Sequence, residues 1–142
     1  MNRLVCIALL AVLAVVASAV AATRPTLRGP SEVRVGQSVK VTARNLVSGR
    51  YHLYLVLKAR QPEGARAITC LHAVSPYVRV SSRVHEFRGR IPAKLVCYQG
   101  KKVGEVRVSA GAYRFQVASP IGPGQFSGRK SFVTRAVGVV AG

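Results

Sequence analysis

The 142-residue chain has no tryptophan, one methionine and only four acidic residues, and all four are glutamate: Glu32, Glu63, Glu86 and Glu105. The missing aspartate excludes Ser-His-Asp triads, aspartic dyads and Asp-rich calcium loops. Paired-carboxylate glycoside hydrolysis would need two of the four glutamates to meet across a cleft. Each stands among arginines, where surface ion pairing is the simpler role. The metal-ligand types are equally sparse. His52, His72 and His85, with Cys70 or Cys97 if reduced, include no pair at the spacing of a zinc motif. No phosphate-cradling glycine loop and no nucleophile elbow occurs. The expectation is a protein that is not an enzyme and carries no metal or cofactor.

Positive charge is what the chain has in excess. Lys and Arg number 22, a formal +18, and sixteen of them are arginine. Such a charge favours anionic partners, is screened by salt and says nothing about fold. One reading is compositional, with arginine filling exposed strand faces. The other is a real partner: an acidic wall polymer, polysaccharide, phospholipid, nucleic acid or acidic protein. Specific nucleic-acid recognition lacks its usual supports, since neither a basic recognition helix nor an RNP-like aromatic pair is present.

Residues 1–22 open with Arg3, continue as an apolar run from Leu4 to Val16 and end in Ala17-Ser18-Ala19-Val20-Ala21-Ala22. That order reads as a cleaved secretory signal, with Ala19, Ala21 or Ala22 at the cleavage position. A retained anchor is the competing reading, because Leu4–Ala22 carries no charge. Cleavage would remove Cys6 and leave +17 on the mature chain, secreted or held at the envelope, without a transmembrane anchor. Two cysteines in an exported chain, Cys70 and Cys97, are most simply one disulfide. A reactive Cys70 beside His72 is the alternative, and no neighbouring carboxylate orients that histidine.

Beyond the leader, short alternating segments recur with turn signals every 8–12 residues and no convincing helix between them. The organising stretch is Gly111–Val117. Tyr113, Phe115 and Val117 fall on one face, Arg114 and Gln116 on the other. Tyr113 at the head of such a strand reads as a corner residue bonding to upstream backbone. Tyr51–Lys58 is apolar on nearly both faces and should be central in its sheet. The segment Gly49-Arg-Tyr51-x-Leu53 echoes Gly111-Ala-Tyr113-x-Phe115. The expected architecture is an all-β, antiparallel two-sheet sandwich of about seven to nine short strands over residues 23–134. Phe126–Thr134 closes it, and residues 135–142 form a short tail.

The run Pro30-Ser-Glu-Val33-x-Val35-Gly36-x-Ser-Val39-x-Val41, with Gly49-x-Tyr51 and Gly111-x-Tyr113-x-Phe115-x-Val117, resembles bacterial secreted Ig-like sandwich domains. Gly36-Gln37-Ser38-Val39 is also similar to the neocarzinostatin-type apoproteins, secreted sandwiches that hold an apolar chromophore in a cleft. Those carry two disulfides and are not strongly basic, whereas this chain can form one. Neither resemblance brings a catalytic residue, and the fold alone decides no function.

Two binding expectations follow. Arg88, Arg90, Arg107 and Arg114 point away from their cores, and Lys101-Lys102 tops a turn. On one sheet they would make a patch able to fork onto carboxylates or phosphates of an envelope polymer or acidic protein. The second expectation is carriage of a small apolar ligand in a cleft between the sheets, near Ser119–Gly124.

Overall fold

In the computed structural model, the residues described are 24–58, 67–122, 125–126 and 133–142. The proposed export segment, residues 1–22, lies outside them, as does the loop read at Arg60–Gly64. The described chain is all-β: β1 (Thr26–Arg28), β2 (Glu32–Val33), β3 (Ser38–Arg44), β4 (Gly49–Lys58), β5 (Thr69–Ala73), β6 (Val78–Val80), β7 (Val84–Arg90), β8 (Lys94–Tyr98), β9 (Lys102–Arg107), β10 (Gly111–Ala118), β11 (Pro120–Gly122), β12 (Gln125–Phe126) and β13 (Val133–Val139). The described residues form thirteen short strands against the seven to nine expected; the surplus includes three-residue strands such as β1 and β11, too short to show alternation in sequence.

A small sheet has the order β1-β3-β7, and a large one runs β2-β13-β10-β4-β5-β8-β9, with β6 pairing the start of β4. β4 is central, as its two apolar faces require. Pairing is antiparallel except between β13 and β2, which run parallel. The two sheets close on one core. Val39, Val41, Ala43 and Phe87 come from the small sheet; Leu53, Leu55, Phe115 and Val117 come from the large one. The alternation of β3 (exposed, buried, exposed, buried) is the period-2 pattern of a half-buried strand. Each large side chain taken wholly out of water contributes about 1.5–3 kcal/mol, which is why these rows fix the register.

The closing strand differs from the sequence expectation. It is Val133–Val139, so the stretch read as a tail from residue 135 lies largely inside the sheet. Val137 and Val139 are buried, and β13 pairs β10 along its whole length. Val133, Arg135, Val137 and Val139 alternate onto its inner face, and the valines at 137 and 139 carry it into the core. Cys70 and Cys97 are directly opposed on β5 and β8 and form the expected disulfide, with Cα atoms 3.9 Å apart.

Tyr113 is a corner residue: its hydroxyl donates to the Ser109 carbonyl at 2.9 Å and accepts from the Ser109 amide at 3.1 Å. Tyr51 repeats the device, donating to the Val47 carbonyl four residues upstream. The echo between the two segments is therefore shared corner chemistry at the starts of two neighbouring antiparallel strands, β4 and β10.

Candidate functional site

Strand register decides where the cations go. On β7, Phe87 is buried and Glu86, Arg88 and Arg90 face outward; on β3, Lys40 and Arg44 face outward beside Thr42. Lys40 pairs across the sheet with Arg88, Ser38 with Arg90 and Thr42 with Glu86. β1 adds Arg28 opposite Thr42. One outer face thus holds five exposed cations, Arg28, Lys40, Arg44, Arg88 and Arg90, and a single carboxylate. Glu86 Oε1 accepts from Arg88 Nη2 at 2.5 Å, and the Arg88 side chain remains 76% exposed. Among the described residues no carboxylate pairs with the other four. An open depression of about 600 Å³ lies between Lys40, Arg88 and Arg90.

The remaining sequence candidates do not join them. Arg107, Lys101 and Lys102 belong to β9 and its turn, at the edge of the large sheet, and Lys102 Nζ reaches Glu105 Oε1 at 3.4 Å. Arg114 is on β10, with three strands between it and β9. The expected patch therefore divides between sheets. The small-sheet part gains Arg28, Lys40 and Arg44, which sequence reading left unassigned. Their outward alternation was visible in the chain; the pairing of β1, β3 and β7 was not.

The second feature lies on the outer face of the large sheet. Tyr54, Val56, Leu71 and Ala118 form a separate buried cluster, with Ala73, Tyr98 and Phe126 packed on it. Strands β11 and β12 pair with each other, and Phe126 meets Tyr54 edge-on at 5.2 Å. Ser119 anchors the approach to this hairpin by donating to the Arg50 carbonyl. A ring series continues along β4: His52 lies 5.3 Å from Tyr54 and stacks on exposed Tyr77 at 4.9 Å. Arg50 stands 6.0 Å over the Tyr77 ring. Burial, and then the neighbouring Tyr77 and Tyr98, push the Tyr54 phenol up to about 12. Burial also raises Tyr51.

The space between the sheets is filled by the core, with Tyr51, Leu53, Leu55, Phe87 and Phe115 essentially inaccessible. Among the described residues, the inward rows of both sheets pack against each other there. β4 carries apolar side chains on both faces, with Leu53 and Leu55 in the central core and Tyr54 and Val56 in the outer cluster beside Phe126 of the hairpin.

The residues weighed for catalysis or metal are dispersed. His52 contacts the Ser75 carbonyl through Nδ1 at 3.0 Å, His72 is exposed and His85 packs on Phe87. Cys70 is committed to the disulfide. Among the described residues no cluster of three or more His, Cys, Asp or Glu could hold a metal ion. No helix among them is long and apolar enough to cross a membrane.

No protein-family model matches the chain, and no curated protein matches it. Among solved structures it is similar to macromomycin, with a TM-score of 0.58 and 17% identity, over 83% of this chain and 100% of that one. Macromomycin is an all-β apoprotein of the neocarzinostatin family. The likeness is one of fold: a sandwich shared at low identity. It falls on the second of the two resemblances drawn from sequence and gives nothing for the Ig-like one.

Proposed function

We propose that this protein is an exported, non-enzymatic binding domain that associates with an anionic polymer of the cell envelope through the outer face of β1, β3 and β7. The observation that carries this reading is the convergence of five exposed cations around one carboxylate. Export is supported by the leader pattern, by a disulfide of the kind that persists in oxidising compartments and by the fold shared with macromomycin. Binding of this type is electrostatic and must weaken as salt rises.

The test is retention of the purified protein on envelope fragments across a salt series. Steep loss with salt, and loss at low salt in Arg88→Ser with Arg90→Ser, is the expected outcome. Retention indifferent to salt would refute it.

A second reading is carriage of a small apolar or aromatic ligand beneath the β11–β12 hairpin. It is favoured by the Tyr54–Phe126 cluster on an outer sheet face, where a solvated surface is the usual outcome. Macromomycin, as an apoprotein, belongs to the kind of sandwich that holds a ligand. A ligand for this site would raise the melting temperature in proportion to its concentration, and Tyr54→Ala would remove the shift. An unshifted midpoint across an aromatic ligand panel would remove the reading.

A further inference from the structure

We propose that the polymer is a linear phosphodiester chain, laid obliquely across the three strands on a diagonal row formed by Arg28, Lys40 and Arg90. This rests on the reading of the face as anion-binding. The row follows from register. Arg28 is opposite Thr42, Lys40 is one same-face position along β3 from Thr42 and opposite Arg88, and Arg90 is one same-face position beyond Arg88. With strands about 4.8 Å apart and same-face residues about 6.8 Å apart, each diagonal step is about 8 Å and the row spans about 17 Å.

The centre of the row sets the anion type. Lys40 and Arg88 stand side by side, about 5 Å apart across the strands. A carboxylate has two coplanar oxygens, which one guanidinium fork satisfies. A phosphodiester keeps two free oxygens on a tetrahedral phosphorus, one for each cation, and its two ester oxygens carry the chain on toward Arg28 and Arg90. Glu86 lies two same-face positions from Arg90 along β7 and takes one Nη of Arg88, leaving the rest of that guanidinium turned to solvent. A single phosphate reaches only the central pair, whereas a chain about 17 Å long reaches all three members of the row. Affinity should therefore come from chain length. Arg107, Arg114, Lys101 and Lys102 take no part.

The experiment measures binding of the purified protein to inorganic phosphate, poly(glycerol phosphate) and polygalacturonate at several salt concentrations. Poly(glycerol phosphate) should bind, inorganic phosphate should not compete at equal phosphate concentration, and polygalacturonate should bind at least about tenfold more weakly. Arg28→Ser with Arg90→Ser should reduce the slope of log affinity against log salt by about 2, one for each lost phosphate contact. Lys101→Ser with Arg107→Ser removes the same charge and should leave the slope unchanged. Both pairs are exposed, and circular dichroism serves to check that each variant is folded. Equal losses from the two pairs would overturn the row while leaving anion binding in place. Equal binding of polygalacturonate would overturn the phosphate assignment alone. No binding of any polyanion at low salt would overturn this inference and the function proposed above together.

Discussion

The Tyr113 hydroxyl and the Ser75 hydroxyl both tie strands to neighbouring backbone, but they sit in different surroundings. Ser109, the partner of Tyr113, is exposed, so water can replace the phenol. Tyr113→Phe should cost about 1 kcal/mol in urea unfolding. Ser75 Oγ accepts the buried Leu53 amide at 2.9 Å. Ser75→Ala strands that donor where water does not reach, and should cost about 2–3 kcal/mol in the same measurement. Tyr54 makes its contribution through pH. Its folded pKa of about 12 lies above the ordinary value of 10. The neutral phenol is therefore the form the fold favours. Its stabilising effect is intact below pH 10 and is lost as pH rises through 12. Unfolding free energy measured from pH 9 to 12 should fall more steeply in the native protein than in Tyr54→Phe.

Among the elements, β7 is the most constrained, since it carries two of the five cations and closes the small sheet. Its Gly89 faces the β5–β6 connection, where an added Cβ would come 1.7 Å from the Val74 carbonyl oxygen. Backbone cannot yield as a flexible side chain does. Gly89→Ala should cost about 3 kcal/mol, read as a lower denaturation midpoint, and should weaken polyanion retention near that midpoint. The strand also illustrates what was legible. The alternation His85, Phe87 inward and Glu86, Arg88, Arg90 outward is plain in the sequence, because one face must leave water. That Lys40 stands against Arg88 is not, because register depends on which strands meet. The Lys101–Lys102 turn was equally legible as a turn, and its place at the edge of the other sheet was not.

At the scale of the whole molecule, the C-terminal strand holds the large sheet together. β13 lies between β2 and β10, with Val137 and Val139 in the core. Deleting residues 135–142 should remove cooperative unfolding altogether, seen as loss of the thermal transition. A dispensable tail would leave the midpoint within a few degrees. The pattern Val133-x-Arg135-x-Val137-x-Val139 did alternate. An arginine on the inner face, with its Nε buried and unpartnered, and flanking glycine and alanine obscured it as a strand.

Sequence alone determined the class of protein. Period-2 alternation, the corner tyrosines and the doubly apolar β4 permit only a layered β-fold. The absence of aspartate leaves no residue for the third place of a Ser-His-Asp triad, and Cys70 and Cys97 are the pair that the disulfide joins. Each of these follows from local chemistry or from counting. The tertiary structure decided what is non-local: which arginines share a face and which side of β4 is core. Those depend on strand order, since a residue's outward direction is set by its own backbone but its neighbours are set by pairing across stretches distant in the chain.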